Sequence, residues 1–170
     1  MQNKNTVRVV SFVAASSGSG KTTLIENVIP FLIRRGLRVA VIKHASAGFD
    51  LDRPGKDSQR FQEAGATSVV LVGPTNMALL KRIDHEPTSE EIDQLPLDAD
   101  IIIYEGFKKT ARNKIEVFRR EVSGERPLCM RDQSFIALVS DSPFEVPVPR
   151  FDINDAEGVA SFLVSHPLFP

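Results

Sequence analysis

A short run of small residues constrains the fold of this chain more than any other feature. Residues 15–22 read Ala-Ser-Ser-Gly-Ser-Gly-Lys-Thr, between an apolar, β-branched run at 7–15 and a helical pattern at 21–35. They match the phosphate-binding pattern G-x-x-x-x-G-K-[ST] in every position but the first, where Ala15 stands in place of glycine. The sequence therefore predicts a P-loop (Walker A motif) between the first strand and the first helix.

The residues of this loop have separate roles in binding a phosphate group. Gly18 and Gly20 let consecutive backbone N–H groups turn towards an anion. Lys21 is expected to reach the outer phosphates, and the Thr22 hydroxyl is expected to bind Mg²⁺. The N-terminus of the following helix adds a partial positive charge. The residues expected to bind the nucleotide at this loop are Ser17, Gly18, Ser19, Gly20, Lys21, Thr22 and Thr23.

The composition fits one domain and narrows the classes of partner. With 170 residues and 42% hydrophobic content, the chain can bury a full sheet, so we expect a single nucleotide-binding domain over residues 1–170. With a formal net charge of -1, the chain has no overall positive potential that would attract nucleic acid. Cys129 is the sole cysteine, which excludes a disulfide framework and fits a reducing compartment.

The sequence also predicts a location. Residues 1–6 lack the apolar core of a signal peptide, and no apolar run in the sequence approaches the length of a membrane span. We therefore expect a cytoplasmic protein that has no membrane partner.

Alternating strand and helix patterns predict a three-layer α/β fold, in which a mostly parallel sheet has helices on both faces. After a helix stop signal at Gly36, residues 37–42 form the second predicted strand. Residues 68–72 and 77–80 flank a turn at 73–76 and predict an antiparallel hairpin. We expect the hairpin to extend an edge of the sheet and to provide a dimer surface.

Three further elements are predicted in the second half of the chain. Thr88 and Glu91 have the spacing of a capping box and should open a short helix. Residues 114–118 alternate like an exposed strand. Asn154 together with Glu157 should cap a C-terminal helix.

A carboxylate follows the most strand-like segment of the chain. Ligands of doubly wound sheets collect at the carboxyl ends of strands, and Glu105 directly follows the apolar run at 101–104. It is similar to a Walker B carboxylate, which holds Mg²⁺ or orients the water that attacks the outermost phosphate. A surface glutamate in a turn is the alternative. Lys21 and Glu105 are thus the catalytic candidates, and Thr22 and Glu105 are the metal-binding candidates.

Asp141 follows the strand pattern at 135–139 and is the candidate for reading a guanine base. An aspartate there would accept hydrogen bonds from the N1–H and 2-amino groups of guanine, which adenine does not offer. A turn or helix-cap aspartate is the alternative. Asp141 favours GTP as the ligand. ATP stays open as the alternative, because the usual Asn-Lys-x-Asp sequence is absent.

Other charged residues also follow predicted strands. For each of them a solvated loop is the alternative to ligand binding. One of the aspartates Asp50, Asp52 and Asp57 could join the Mg²⁺ shell. The residues that could meet an anionic ligand are Lys43, His44, Arg53, Lys56, Arg60, Lys108 and Lys109.

Several segments agree in order and spacing with one known family. They are residues 15–23, Ile42-Lys-His44, residues 52–58, Glu105-Gly-Phe-Lys108 with Lys114-Ile, Ser140-Asp141 and Asp152-Ile-Asn-Asp155. Together they resemble the MobB family of molybdopterin-guanine dinucleotide biosynthesis adapter proteins. The resemblance covers nearly the whole chain, and alanine at the first P-loop position is part of it.

This resemblance implies a P-loop protein that binds GTP and Mg²⁺ and hydrolyses GTP slowly at most. It also implies a homodimer that works beside the guanylyltransferase attaching GMP to molybdopterin. On this chain, the resemblance implies that residues 18–23 bind the phosphates and Mg²⁺. It also implies that Glu105 lies near the metal and that Asp141 recognises the base. The alternative is an ATP-dependent, ligase- or kinase-like enzyme that resembles dethiobiotin synthetase and acts on a small carboxylated acceptor.

Overall fold

Strands and helices are interspersed along the chain, but they do not alternate strictly. The structure, a computed structural model, describes residues 7–46, 48–49, 57–108 and 112–167. In chain order the elements are β1 (Arg8–Val13), α1 (Lys21–Arg34), β2 (Val39–Lys43), α2 (Asp57–Glu63), β3 (Ser68–Val72), β4 (Met77–Lys81), α3 (Ser89–Asp93), β5 (Ile101–Glu105), β6 (Lys114–Phe118), α4 (Arg120–Ser123), a 3₁₀ turn (Leu128–Met130), β7 (Phe135–Ser140), β8 (Arg150–Asp152) and α5 (Ala156–Ser165).

The chain divides into two units. The first comprises Met1–His44 and Leu95–Pro170, and the second comprises Ala45–Gln94. A single nucleotide-binding domain over residues 1–170 stays a prediction. No helix within the described ranges is long and apolar enough to cross a membrane.

A six-stranded sheet is the centre of the first unit. The strand order is β2-β5-β1-β6-β7-β8, and each pair of neighbouring strands is parallel. Because parallel strands share a direction, their carboxyl ends meet at one edge of the sheet. β1 lies between β5 and β6, so the residues that follow these three strands come together there. The predicted parallel sheet is confirmed.

Helices α1 and α5 cover one face of this sheet. Leu24, Val28 and Leu32 form the buried stripe of α1, at the spacing of one helical face. They share a core with α5, whose Val159 and Leu163 are fully buried. Burial of each such aliphatic side chain stabilises the fold by roughly 1.5–3 kcal/mol, which is what holds α1 and the loop before it in place.

The opposite face carries a smaller core. It contains Val13, Phe118, Cys129, Phe135 and Leu138, with Leu128, Phe144, Val146 and Val148 packed against it. The 3₁₀ turn and the coil after β7 therefore cover this face.

The expectation of an exposed strand at residues 114–118 is wrong. β6 lies between β1 and β7, and Glu116 on it is completely buried. Its two carboxylate oxygens accept hydrogen bonds from the backbone N–H groups of Leu128 and Cys129, at 2.8 and 2.9 Å. Polar and apolar residues do alternate along this strand, but backbone N–H groups rather than water provide the hydrogen bonds of Glu116.

The second unit contains the predicted hairpin. β3 and β4 pair antiparallel, with Val72 opposite Met77 at the turn. They form a two-stranded sheet of their own, so the hairpin is confirmed but its placement on an edge of the parallel sheet is wrong. The capping box at α3 is also confirmed, because Thr88 and Glu91 exchange both of its hydrogen bonds.

The cap of the C-terminal helix differs from the predicted one. Asp155, not Asn154 with Glu157, is the N-cap of α5, and its carboxylate accepts a hydrogen bond from the N–H of Gly158 at 2.8 Å. Asp and Asn cap helices almost equally well, so neighbouring Asn and Asp residues leave the first residue of the helix ambiguous in the sequence.

Candidate functional site

The loop between β1 and α1 has the backbone that the P-loop pattern predicts. Gly18 and Gly20 have φ angles of 75° and 89°, a region that strains any residue with a Cβ. Gly20 is the N-cap of α1 and makes no side-chain cap, so no side chain occupies the positive end of this helix. Ser19 is completely buried, whereas Ser17, Thr22 and Thr23 are exposed.

Lys21 folds back over the loop. Its ammonium nitrogen lies 3.4 Å from both the carbonyl oxygen of Ser16 and the hydroxyl of Ser19. Burial lowers the pKa of Lys21, while Glu105 raises it. Lys108 and Lys43 lower this pKa further, because like charges disfavour the charged form. A bound anion would relieve this repulsion.

Glu105 meets Thr22 across the sheet edge. β5 pairs with β1 so that Glu105 lies opposite Phe12, close to where β1 enters the loop. The Thr22 hydroxyl donates a hydrogen bond of 2.6 Å to the Glu105 carboxylate. Lys43, at the end of β2, forms an ion pair of 3.4 Å with the other oxygen of the same carboxylate. Residues 83 positions apart in the sequence are thus brought into contact.

The segment after Glu105 turns sharply beside the loop. Gly106 has φ 96°, and its N–H donates to the carbonyl of Phe12 at 3.1 Å. A Cβ on Gly106 would lie 3.3 Å from the Cβ of His44, so the approach of His44 also favours glycine. Lys108 then reaches the loop, and its ammonium donates to the carbonyl of Ala15 at 3.3 Å.

Asp141 lies at the carboxyl end of β7. Its Oδ1 accepts hydrogen bonds from the N–H of Arg120 at 3.1 Å and from the hydroxyl of Ser142 at 3.0 Å. The side chain is exposed. These contacts orient the carboxylate, and its role in reading a base stays a prediction.

The chemistry of Thr22 and Glu105 fits Mg²⁺. This ion binds oxygen ligands and usually takes one or two from the protein, with phosphate oxygens and water completing its shell. A hydroxyl and a carboxylate 2.6 Å apart match that demand. In the part of the chain that the structure describes, no group of three or more His, Cys, Asp or Glu side chains could hold a metal.

Some sequence candidates lie outside the described residues, namely Asp50, Asp52, Arg53, Lys56 and Lys109. Asp57 begins α2 in the second unit and forms an ion pair of 3.5 Å with Arg60.

Arg119 is a neighbour of the loop that sequence reasoning missed. It directly follows β6, and a Cβ on Gly20 would lie 3.4 Å from its Nη2. No motif surrounds Arg119. Only its position after a strand end could have signalled it, and that signal depended on knowing that β6 neighbours β1.

A glycine-rich loop between a central parallel strand and its helix, with a carboxylate on the neighbouring strand, defines a P-loop nucleotide-binding protein of the α/β class. The family described as molybdopterin guanine dinucleotide synthesis protein B, MobB, matches residues 9–141. The chain belongs to the MobB family.

Two bacterial relatives match most of the chain. The molybdopterin-guanine dinucleotide biosynthesis adapter protein of Escherichia coli (strain K12) is 39% identical over 172 residues, which cover 96% of this chain and 95% of that protein. The protein of the same name from Haemophilus influenzae is 35% identical, with coverages of 89% and 85%.

Solved structures share the fold. A crystal structure of molybdopterin-guanine biosynthesis protein B has a TM-score of 0.68 and 28% identity, and the match covers 92% of this chain and 98% of that one. Bacillus subtilis MobB has a TM-score of 0.70 and 25% identity, with coverages of 92% and 96%. The resemblance inferred from the motifs is confirmed, and the adapter interpretation is favoured over the ATP-dependent, ligase-like one.

Proposed function

We propose that this protein is a GTP-binding adapter in the synthesis of molybdopterin guanine dinucleotide, with slow GTP hydrolysis at most. The observation that carries the proposal is the meeting of Lys21, Thr22 and Glu105 at one glycine-rich loop. The names of the two bacterial relatives support the biological setting.

The loop binds the phosphates of the nucleotide. Backbone N–H groups of residues 17–23 surround the anion, and Lys21 neutralises its outer charge. Thr22 and Glu105 would hold Mg²⁺, which when bound would neutralise charge on the phosphates. Alternatively, Glu105 would orient the attacking water in the slow hydrolysis.

Asp141 selects guanine. Its exposed carboxylate is held by the N–H of Arg120 and the Ser142 hydroxyl, so its direction is fixed before a base arrives. A preorganised carboxylate loses little freedom on binding, which favours base discrimination.

The partners of the adapter are a second copy of the chain and the guanylyltransferase that attaches GMP to molybdopterin. One face of the hairpin supports dimerisation, because Val70, Val72, Met77 and Leu79 alternate along β3 and β4 and are 52%, 79%, 73% and 56% exposed. Apolar faces of this kind mark interaction surfaces. The transferase follows from the family alone, and a cytoplasmic location stays an expectation.

Calorimetric titration with GTP and ATP analogues in the presence of Mg²⁺ tests the proposal. We expect binding of the GTP analogue, weaker binding of the ATP analogue, and no binding of either to Lys21→Ala, which should keep its fold by circular dichroism. Preference for adenine would revive the ligase-like alternative. Unchanged affinity of Lys21→Ala would remove the loop from the site.

A further inference from the structure

Arg119 lies against the P-loop on the side opposite to Glu105. β1 has β5 on one side and β6 on the other, and the residues that end these strands flank the loop. Glu105 ends β5 and touches Thr22. Arg119 follows the last residue of β6, and its Nη2 would lie 3.4 Å from a Cβ on Gly20, with its Cζ at 4.0 Å.

The guanidinium of Arg119 has hydrogen-bonding capacity to spare. Its Nε is buried without a hydrogen-bond partner among the residues that the structure describes. Buried N–H groups are rarely left unpaired, since each costs roughly 1–3 kcal/mol. The backbone N–H of Arg119, in contrast, is held at 3.0 Å by the Ser123 hydroxyl at the end of α4. The backbone is therefore fixed, while the guanidinium has no hydrogen-bond acceptor among the described residues.

The charge around the loop is mainly positive. Lys43 and Lys108 are close enough to lower the pKa of Lys21, and Glu105 is the carboxylate that raises it. Arg119 adds a cation to this group and forms no ion pair with any described residue. A cation without an ion-pair partner among the described residues, beside a glycine-rich loop, favours an anion with several acceptor oxygens.

We propose that Arg119 is a phosphate-binding residue that contacts the nucleotide from the β6 side of the loop. The proposal rests on the proposed nucleotide function and adds a second cation to Lys21. A guanidinium presents parallel N–H groups that fit two oxygens of a phosphate group, which an ammonium does not. Because Arg119 binds phosphate and not the base, its contribution is the same for any ligand that carries the phosphate chain.

The test compares Arg119→Gln, Arg119→Lys and a control in titrations with Mg²⁺-GDP and with inorganic tripolyphosphate, which has no base. Arg131→Gln is the matched control, because it removes an exposed arginine charge near the amino end of β7. For Arg119→Gln we expect about ten- to hundredfold weaker binding of both ligands, the range for a charge-assisted pair of hydrogen bonds. Arg119→Lys should fall between Arg119→Gln and the unchanged protein, and Arg131→Gln should bind like the unchanged protein.

Thermal unfolding of the ligand-free variants separates phosphate binding from support of the loop. We expect the ligand-free midpoint of Arg119→Gln to stay within a few degrees of the unchanged protein, while the rise caused by ligand is reduced. If the unchanged protein binds and Arg119→Gln binds equally well, Arg119 is not a phosphate ligand. A large fall in the ligand-free midpoint that Arg119→Lys restores together with full affinity also overturns the inference. If the unchanged protein binds neither ligand, the proposed function itself fails.

Discussion

At the scale of single residues, Glu116 shows how a charged side chain is accommodated inside a sheet. It is fully buried on β6, and each of its two carboxylate oxygens accepts a hydrogen bond from a backbone N–H of the 3₁₀ turn. The neighbouring thiol of Cys129 has its pKa raised to about 12, first by burial and then by Glu116. The carboxylate thus ties the turn to the sheet and keeps this thiol protonated.

Replacing Glu116 by glutamine should destabilise the first unit. The amide has one acceptor oxygen, so one of the two N–H groups of Leu128 and Cys129 would face an NH₂ group. We expect a loss of about 1–3 kcal/mol in the free energy of unfolding, measured by urea denaturation. Glu26→Gln, on the exposed side of α1, is the control and should change little. Equal midpoints for the two variants would show that Glu116 does not hold the turn.

Asp141→Asn should weaken the preference for guanine. The amide replaces one acceptor oxygen by a donor, which would oppose the N1–H or 2-amino group of the base. We expect the affinity for a GTP analogue to fall by about tenfold or more, the discrimination given by one bidentate base contact, while that for an ATP analogue is unaffected. Calorimetric titration of both analogues measures this, and retention of full discrimination would place the base elsewhere.

At the scale of elements, helix α1 carries the loop, and its C-terminus is closed by a glycine. Gly36 has φ 80°, its N–H donates to the carbonyl of Ile33, and the N–H of Leu37 donates to the carbonyl of Leu32. These two bonds are those of a Schellman motif. They satisfy the last carbonyls of the helix and turn the chain towards β2.

Gly36→Ala should destabilise α1 through the backbone alone. No atom lies within 4 Å of the added Cβ, so the loss comes from the left-handed φ alone. We expect the free energy of unfolding to fall by about 1 kcal/mol, after allowance for the lower entropy of the unfolded chain with alanine. Gly36→Asn should lose less free energy of unfolding than Gly36→Ala, because asparagine tolerates a left-handed φ better than alanine does. Thermal unfolding of the two variants measures the difference, and equal losses would point to a cause other than φ.

Local sequence patterns predict most helices and strands, but they do not predict which strands lie side by side in the sheet. The P-loop, the hairpin strands and the Thr88 capping box each depend on residues close in sequence, and all three are present in the structure. Whether β6 is exposed, and which residues end beside the loop, depends on strand order, which local periodicity does not determine. Sequence motifs therefore found Glu105 and missed Arg119, although both residues lie at strand ends next to β1.

At the scale of the whole molecule, the two units carry different candidates. The loop, Glu105, Arg119 and Asp141 all belong to the first unit, and the apolar face of the hairpin belongs to the second. The proposed nucleotide site and the proposed dimer surface therefore consist of separate sets of residues. A substitution on the hairpin face should change the assembly and leave the affinity for nucleotide intact.

Leu79→Glu provides this test of the dimer. Leu79 lies opposite Val70 on the apolar face and in the middle of β4, so a carboxylate there would be buried against a second copy without a partner. We expect the unchanged protein to sediment as a dimer at micromolar concentration and Leu79→Glu to sediment as a monomer that still binds GTP. Ile33→Glu is the matched control, since Ile33 on α1 is 57% exposed and Leu79 is 56% exposed. A dimer that persists in Leu79→Glu, or one that is lost equally in Ile33→Glu, would exclude the hairpin face as the interface.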